Sequence, residues 1–155
     1  MKNILNTVLN VRKMEVGQST LHIQSIQLDE WAEQLISDFK PEASVRGITL
    51  VYQPEPEIQT LCFDKEKCTT ILTNLLINAL KYTPDESTIS ISTRLSEDKR
   101  VRISISDQGP GLKDVDTNNL FVRFYQGNNS RPGTGIGLSY SKILVEQHGG
   151  NIGAY

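Results

Sequence analysis

Three short stretches carry residue types that could do chemistry: Asn74 to Thr83 (NLLINALKYT), Asp107 to Gly111 (DQGPG) and Gly133 to Leu138 (GTGIGL). In the first, two asparagines four residues apart interrupt a run of Leu, Ile and Ala, and a Lys-Tyr pair follows. Asparagine is an indifferent helix former because its amide competes for nearby backbone groups. At about 100° per residue, Thr70, Asn74, Asn78 and Lys81 share one stripe of a helix, with Tyr82 on its flank. Cys68, Ile71, Leu72, Leu75 and Ala79 then lie towards the core side. The Asn74 and Asn78 side chains sit ~5–6 Å apart. Such a stripe is either a solvated face or a place where something polar docks. An amide oxygen is a hard ligand, suited to Mg²⁺ that rides on substrate phosphates.

Asp107 follows the alternating run Val101 to Ser106 (VRISIS). With a period of two, Val101, Ile103, Ile105 and Asp107 share a face, which aims the carboxylate at the core side. Gly109 and Gly111 let the backbone approach whatever satisfies it. The alternatives are a strand-end Asp making a turn with Gly and a carboxylate that accepts from a base or amine. The Gly133-Thr-Gly135-Ile-Gly137-Leu138 run is neither a Walker A loop nor a dinucleotide fingerprint. Glycines opening a helix nonetheless expose N–H groups towards which the dipole attracts phosphate. A plain flexible loop is the competing reading.

The elements that must position these residues can be read from periodicity. Residues 3–14 place Ile4, Leu5, Val8, Leu9 and Val11 at helical spacing. Leu21 to Ile26 alternates like a strand. Leu28 to about Val45 puts Trp31, Ala32, Leu35, Ile36 and Phe39 on one helical face, and Pro41 is expected to kink or divide that helix. Ile48 to Tyr52 and Thr60 to Phe63 read as strands, and a helix spans about Asp64 to Tyr82. Ile89 to Ser92 and Val101 to Ser106 form an antiparallel hairpin with one face wet. The last helix runs from about Ile136 to His148, with Gly149-Gly150 as a Schellman stop, and Asn151 begins another strand. The expected fold is α+β, a mixed, mostly antiparallel sheet with helices over one face.

The bulk numbers narrow the options. A chain of 155 residues with net charge −2 is about one domain long, and no Lys/Arg cluster suggests nucleic acid. Cys62 and Cys68 match no metal spacing and make a poor disulfide framework. No apolar run reaches the ~18 residues of a membrane span. His22 lies in an alternating strand and His148 in a last helical turn, where the helix dipole accounts for it. No Ser-His-Asp or Cys-His arrangement is suggested.

Taken in order, the motifs resemble the catalytic ATP-binding domain of sensor histidine kinases, within the gyrase, Hsp90, histidine kinase and MutL ATPase superfamily. The matching elements are NLLINALKYTP (74–84), DQGPG (107–111), LFVRFY (120–125), GTGIGL (133–138) and EQHGG (146–150). The match covers about residues 20–155. The resemblance implies a two-layer sandwich of the Bergerat type and the cofactors ATP and Mg²⁺. Asn78 would be the Mg²⁺ ligand, Asn74 and Lys81 would approach the phosphates, and Tyr82 would flank the adenine. Asp107 would accept from the adenine amino group, with Gly109 and Gly111 shaping the base pocket. Gly133, Thr134, Gly135, Ile136, Gly137 and Leu138 would line the phosphates beneath a lid from Tyr125 to about Pro132, anchored by Phe121 and Phe124. Gln126 stands where many relatives carry Arg, so Arg131 or Arg123 would supply charge to the γ-phosphate.

Residues 1–17 would then be the end of a dimerisation helix and its linker, and 18–155 the ATP-binding domain. No His-Glu motif of the phosphoacceptor type is present, and the family continues with a further hairpin and strand. A fragment trimmed at both ends is therefore expected, from a homodimeric, membrane-anchored sensor whose cytoplasmic domain phosphorylates an upstream histidine that serves a response regulator receiver. The rivals are a hydrolase or serine kinase of the superfamily and a non-catalytic nucleotide-sensing module. The hydrolases carry a glutamate general base where Asn74 stands, and an amide cannot act as one.

Overall fold

The structure, a computed structural model, describes residues 21–109 and 137–154. The expected helix at 3–14 lies outside them. The described elements run β1 (Ile23–Gln27), α1 (Leu28–Val45), β2 (Thr49–Gln53), β3 (Thr60–Asp64), α2 (Lys65–Tyr82), β4 (Thr88–Leu95), β5 (Val101–Ser106) and α3 (Gly137–Gln147). They fall into two compact units. One comprises 24–63 and 76–109, the other 21–23, 64–75 and 137–154, and α2 runs through both.

In the first unit, α1 buries Leu28, Trp31, Ala32, Leu35 and Ile36, the i, i+3, i+4, i+7, i+8 stripe of an amphipathic helix. Trp31 meets Phe63 of β3 edge-on, with ring centroids 5.0 Å apart. Of the two expected effects of Pro41, division does not occur: the helix runs through it without a break. Proline removes the hydrogen bond to the carbonyl four residues back, here that of Ser37. Both residues are exposed. The helix closes in a Schellman motif on Gly47 (φ +67°), where Gly47 N–H donates to Ser44 and Ile48 N–H to Ala43.

The sheet order is β2-β4-β5, with β2 parallel and β5 antiparallel to β4, and β1 pairs with β3 in a separate two-stranded sheet. On β4, Ile89, Ile91 and Thr93 are buried, and the alternate Ser90 and Ser92 face the wetter side. The α+β class and the mixed sheet agree with expectation.

In the second unit, Asp64 is the N-cap of α2. Its Oδ1 accepts from Lys67 N–H at 3.0 Å and its Oδ2 from His22 N–H at 2.9 Å. Tyr140 and Leu144 of α3 pack with Ile71 and Ile143. Gly149 (φ +73°) ends α3 in the expected Schellman motif: its N–H donates to Glu146, and that of Gly150 to Val145. Residues 151–154 are not a strand, because no described residue pairs with them.

Burial raises the Asp64 pKa, but the N–H groups of His22 and Lys67 outweigh it and hold the carboxyl below its ordinary value. A carboxyl depressed in the folded state contributes stability that is present above its unfolded value, about 3.9. That contribution is lost as pH falls through the folded value. Asp64→Ala is expected to cost ~1–2 kcal/mol at pH 7, the worth of an N-cap. The gap from wild type should narrow below about pH 4. Urea unfolding across pH 3 to 7 checks this, and a gap independent of pH would contradict it.

Candidate functional site

Helix α2 buries Leu72, Leu76, Ala79 and Leu80. Its core stripe is therefore turned towards Leu76 and Leu80, and Cys68, Ile71 and Leu75, expected in the core, are half-buried. Asn74, Asn78, Lys81 and Tyr82 are half-buried on the flank.

Asn74 meets the start of α3, which belongs to the same unit. Its Nδ2 donates to the Gly137 carbonyl and to Ser141 Oγ, both at 3.3 Å, and Ser141 Oγ donates to the same carbonyl at 2.8 Å. A carbonyl can only accept, so the atom facing Gly137 is the amide nitrogen. The buried Ser141 was not evident from the sequence, where a serine inside a helix carries no signal of its own. One turn along, Asn78 has no side-chain hydrogen bond to any described residue. Lys81 Nζ lies 5.2 Å from the Tyr82 ring centroid.

The period-two expectation for Val101, Ile103, Ile105 and Asp107 does not hold: Ile103 is exposed, Val101 and Ile105 are only half-buried, and Asp107 departs from it as well. The β4–β5 ladder pairs Ile91 with Ile105 and ends at Ser90–Ser106, so Asp107 lies past the last pair and is exposed. Its Oδ1 accepts from Gly109 N–H at 2.8 Å, an Asx-type turn. Oδ2 has no partner among the described residues. A Cβ on Gly109 would stand 2.9 Å from Asp107 Oδ1 and 2.9 Å from the Tyr82 carbonyl, which fixes glycine at this position. Gln108 Oε1 accepts from Thr88 N–H at 2.8 Å. Tyr82, Asp107 and Gly109 are thus brought together within one unit.

Arg46, the C-cap of α1, holds the end of α2. Its guanidinium donates to the Leu80 carbonyl, to the Thr83 carbonyl at 2.5 Å and to Asp85 Oδ1 at 2.8 Å. No sequence signal pointed to it.

His148 closes α3. Its Nδ1 faces the Leu144 carbonyl at 2.8 Å, and its Nε2 accepts from Asp64 N–H at 3.2 Å. These partners require the tautomer with the proton on Nδ1. Cys68 Sγ lies 3.7 Å from that Nε2, and burial, then the Asp64 charge, pushes its thiol up to about 12. Such a thiol is inert. Gly137 and Leu138 open α3, half-buried. Gly111, Phe121, Arg123, Phe124, Arg131, Gly133, Thr134, Gly135 and Ile136 lie outside the described residues.

Comparison with known proteins gives this arrangement a family. The profile described as histidine kinase-, DNA gyrase B-, and HSP90-like ATPase matches residues 63–154, well over half of the chain. The chain belongs to that family. It is 36% identical over 152 residues to the sensor histidine kinase TmoS of Ectopseudomonas mendocina, covering 96% of this chain and 16% of that protein. It is 37% identical over 161 residues to the sensor histidine kinase GacS of Pseudomonas protegens, covering 97% of this chain and 17% of the relative. The chain thus spans less than a fifth of the length of these relatives. Among solved structures, full-length ShkA in complex with AMPPNP superposes with a TM-score of 0.88 at 24% identity, over 97% of this chain and 32% of that one. The catalytic domain of the histidine kinase ThkA gives 0.70 at 22% identity, over 82% and 83% of the two chains. These two likenesses show a shared fold.

Proposed function

We propose that this chain is the ATP-binding catalytic domain of a sensor histidine kinase, donating the γ-phosphoryl group of ATP to a histidine on a separate dimerisation segment. The observation that carries the reading is the hydrogen bond from Asn74 Nδ2 to the Gly137 carbonyl. A carboxylate has no proton to donate there, so the local structure is built around an amide at the position where a hydrolase of this superfamily keeps its general base. A neutral imidazole needs no such base, because its lone pair is already available.

In this reading Asp107 accepts from the adenine amino group, Tyr82 flanks the base, and Gly109 with Gly111 lets the backbone approach it. Asn74 and Lys81 face the phosphates. Gly133, Thr134, Gly135, Ile136, Gly137 and Leu138 line them, Phe124 anchors the lid, and Arg131 serves the γ-phosphate. Mg²⁺ fits Asn78, whose amide oxygen is a hard donor with no partner among the described residues. The ion would supply charge neutralisation to the phosphates. Among the described residues no three His, Cys, Asp or Glu side chains form a metal cage. The partners are the upstream phosphoacceptor segment and a response regulator receiver, and the whole protein is a homodimeric, membrane-anchored sensor with this domain in the cytoplasm. Among the described residues no helix is long and apolar enough to cross a membrane.

Calorimetric titration of the 155-residue chain with ATP in the presence of Mg²⁺ tests the reading. Saturable one-to-one binding is expected, and no detectable binding would overturn it.

A further inference from the structure

The adenine end of the proposed site rests on the side chains of Asp107 and Tyr82, and the backbone that carries them needs to be held. Helix α2 ends at Tyr82, leaving its last carbonyls without intrahelical partners. Arg46, 34 to 37 residues earlier in the chain, supplies partners to two carbonyls in this turn, those of Leu80 and Thr83. Its cation also sits at the negative end of the helix dipole. The same residue grips the loop beyond through its ion pair with Asp85, and its own carbonyl accepts from Glu86 N–H at 2.9 Å. Glu86 is held at φ 56°, in the left-handed region that a residue with a side chain seldom occupies. Gly47 leaves room for this loop, since a Cβ there would stand 3.0 Å from Glu86 Cγ.

The held segment contains Tyr82, whose carbonyl lies against Gly109 with no space for a methyl group between them. Gly109 N–H in turn orients Asp107 Oδ1. The line of contact runs from Arg46 through the α2 terminus to Tyr82, Gly109 and the Asp107 carboxylate. All of these residues belong to one compact unit.

We propose that Arg46 is a positioning residue for nucleotide recognition, setting the aim of the Asp107 carboxylate and the Tyr82 ring. This rests on the nucleotide reading above. Arginine is required because a planar fork can serve two carbonyls and a carboxylate at once, whereas lysine presents a compact point charge.

The test compares affinities of the 155-residue chain for ATP, ADP and AMP, measured well below each variant's melting temperature. Arg46→Ala is expected to weaken all three on the order of tenfold, the scale of one charge-assisted hydrogen bond. The ratio of ATP to ADP affinity should stay unchanged, because the base end is common to all three. Arg46→Lys should recover only part of the loss, and Asp85→Asn, which spares both carbonyl contacts, should cost less than about threefold. Wild-type affinities in Arg46→Ala, or a loss confined to ATP, would overturn the proposal. Should that variant not fold, Arg46→Lys decides: uniform weakening supports the role, and wild-type affinity overturns it. Absence of ATP binding by the wild-type chain would overturn the nucleotide reading, and this proposal with it.

Discussion

Asn78→Ala is expected to remove most of the contribution that Mg²⁺ makes to ATP affinity. The triphosphate carries several negative charges, which a cation held by Asn78 would neutralise. In the proposed site the protein's hold on that cation is one amide oxygen, and alanine has none. Mutating groups one step removed from a metal already costs about 10- to 100-fold, so loss of a direct ligand should reach at least that range. Titrations of ATP with Mg²⁺ and with EDTA give the two affinities whose ratio matters. Wild type should show a large ratio and Asn78→Ala a ratio near one, with EDTA affinities similar in both. Full metal dependence in the variant would show that the ion is held elsewhere.

The base should be recognised with comparable sharpness. ATP is expected to bind about 5- to 150-fold more tightly than GTP, the equivalent of the ~1–3 kcal/mol lost when buried polar groups go unpaired. Guanine presents a carbonyl where adenine has its amino group, which would set two acceptors face to face. The Gly109 N–H sharpens this expectation. It donates to Oδ1 of Asp107, so in Asp107→Asn the amide oxygen keeps that contact and the NH₂ turns to the base. Adenine then meets a donor with a donor, while guanine gains a partner. Asp107→Asn should therefore lose ATP affinity and narrow or invert the preference. Equal affinities of the wild type for ATP and GTP would remove Asp107 from base recognition.

Much of this was legible in the chain. The stripe of Asn74, Asn78 and Lys81 follows from helical periodicity alone, and the α2 helix is where that periodicity put it. The Gly149-Gly150 stop followed from two glycines after a periodic run. Other features depend on tertiary facts that no local pattern encodes. Asp107 shares the parity of Ile103 and Ile105, but that parity does not mark a core face: Ile103 is itself exposed within the ladder, and the burial along this strand does not alternate. Pro41 carries a local penalty, a lost hydrogen bond and a ring clash one turn back, yet the helix continues to Val45, with Ser37 and Pro41 both exposed. Arg46 was invisible for a different reason. An arginine before a C-terminal glycine marks the end of its own helix, and nothing in that pattern says its side chain reaches carbonyls of another. Ser141 reads from sequence as an ordinary helical serine, and only the fold shows it against Asn74.

The proposed phosphoryl transfer needs a histidine that the described elements do not supply. In-line transfer depends chiefly on placing a nucleophile against the γ-phosphate. His148 is committed at both ring nitrogens, to Leu144 and Asp64. It also follows an eleven-residue helix, ~15 Å from the Gly137 end at 1.5 Å per residue. His22 is exposed and carries no acidic neighbour in sequence of the phosphoacceptor type. The most direct measurement is incubation with γ-labelled ATP and Mg²⁺, using this chain alone and a longer chain that carries the upstream helices. This chain should gain no acid-labile label and release little free phosphate, and the longer chain should gain label that is lost when its phosphoacceptor histidine is replaced. Rapid release of free phosphate by this chain alone would contradict it and place the protein with the hydrolases of the family.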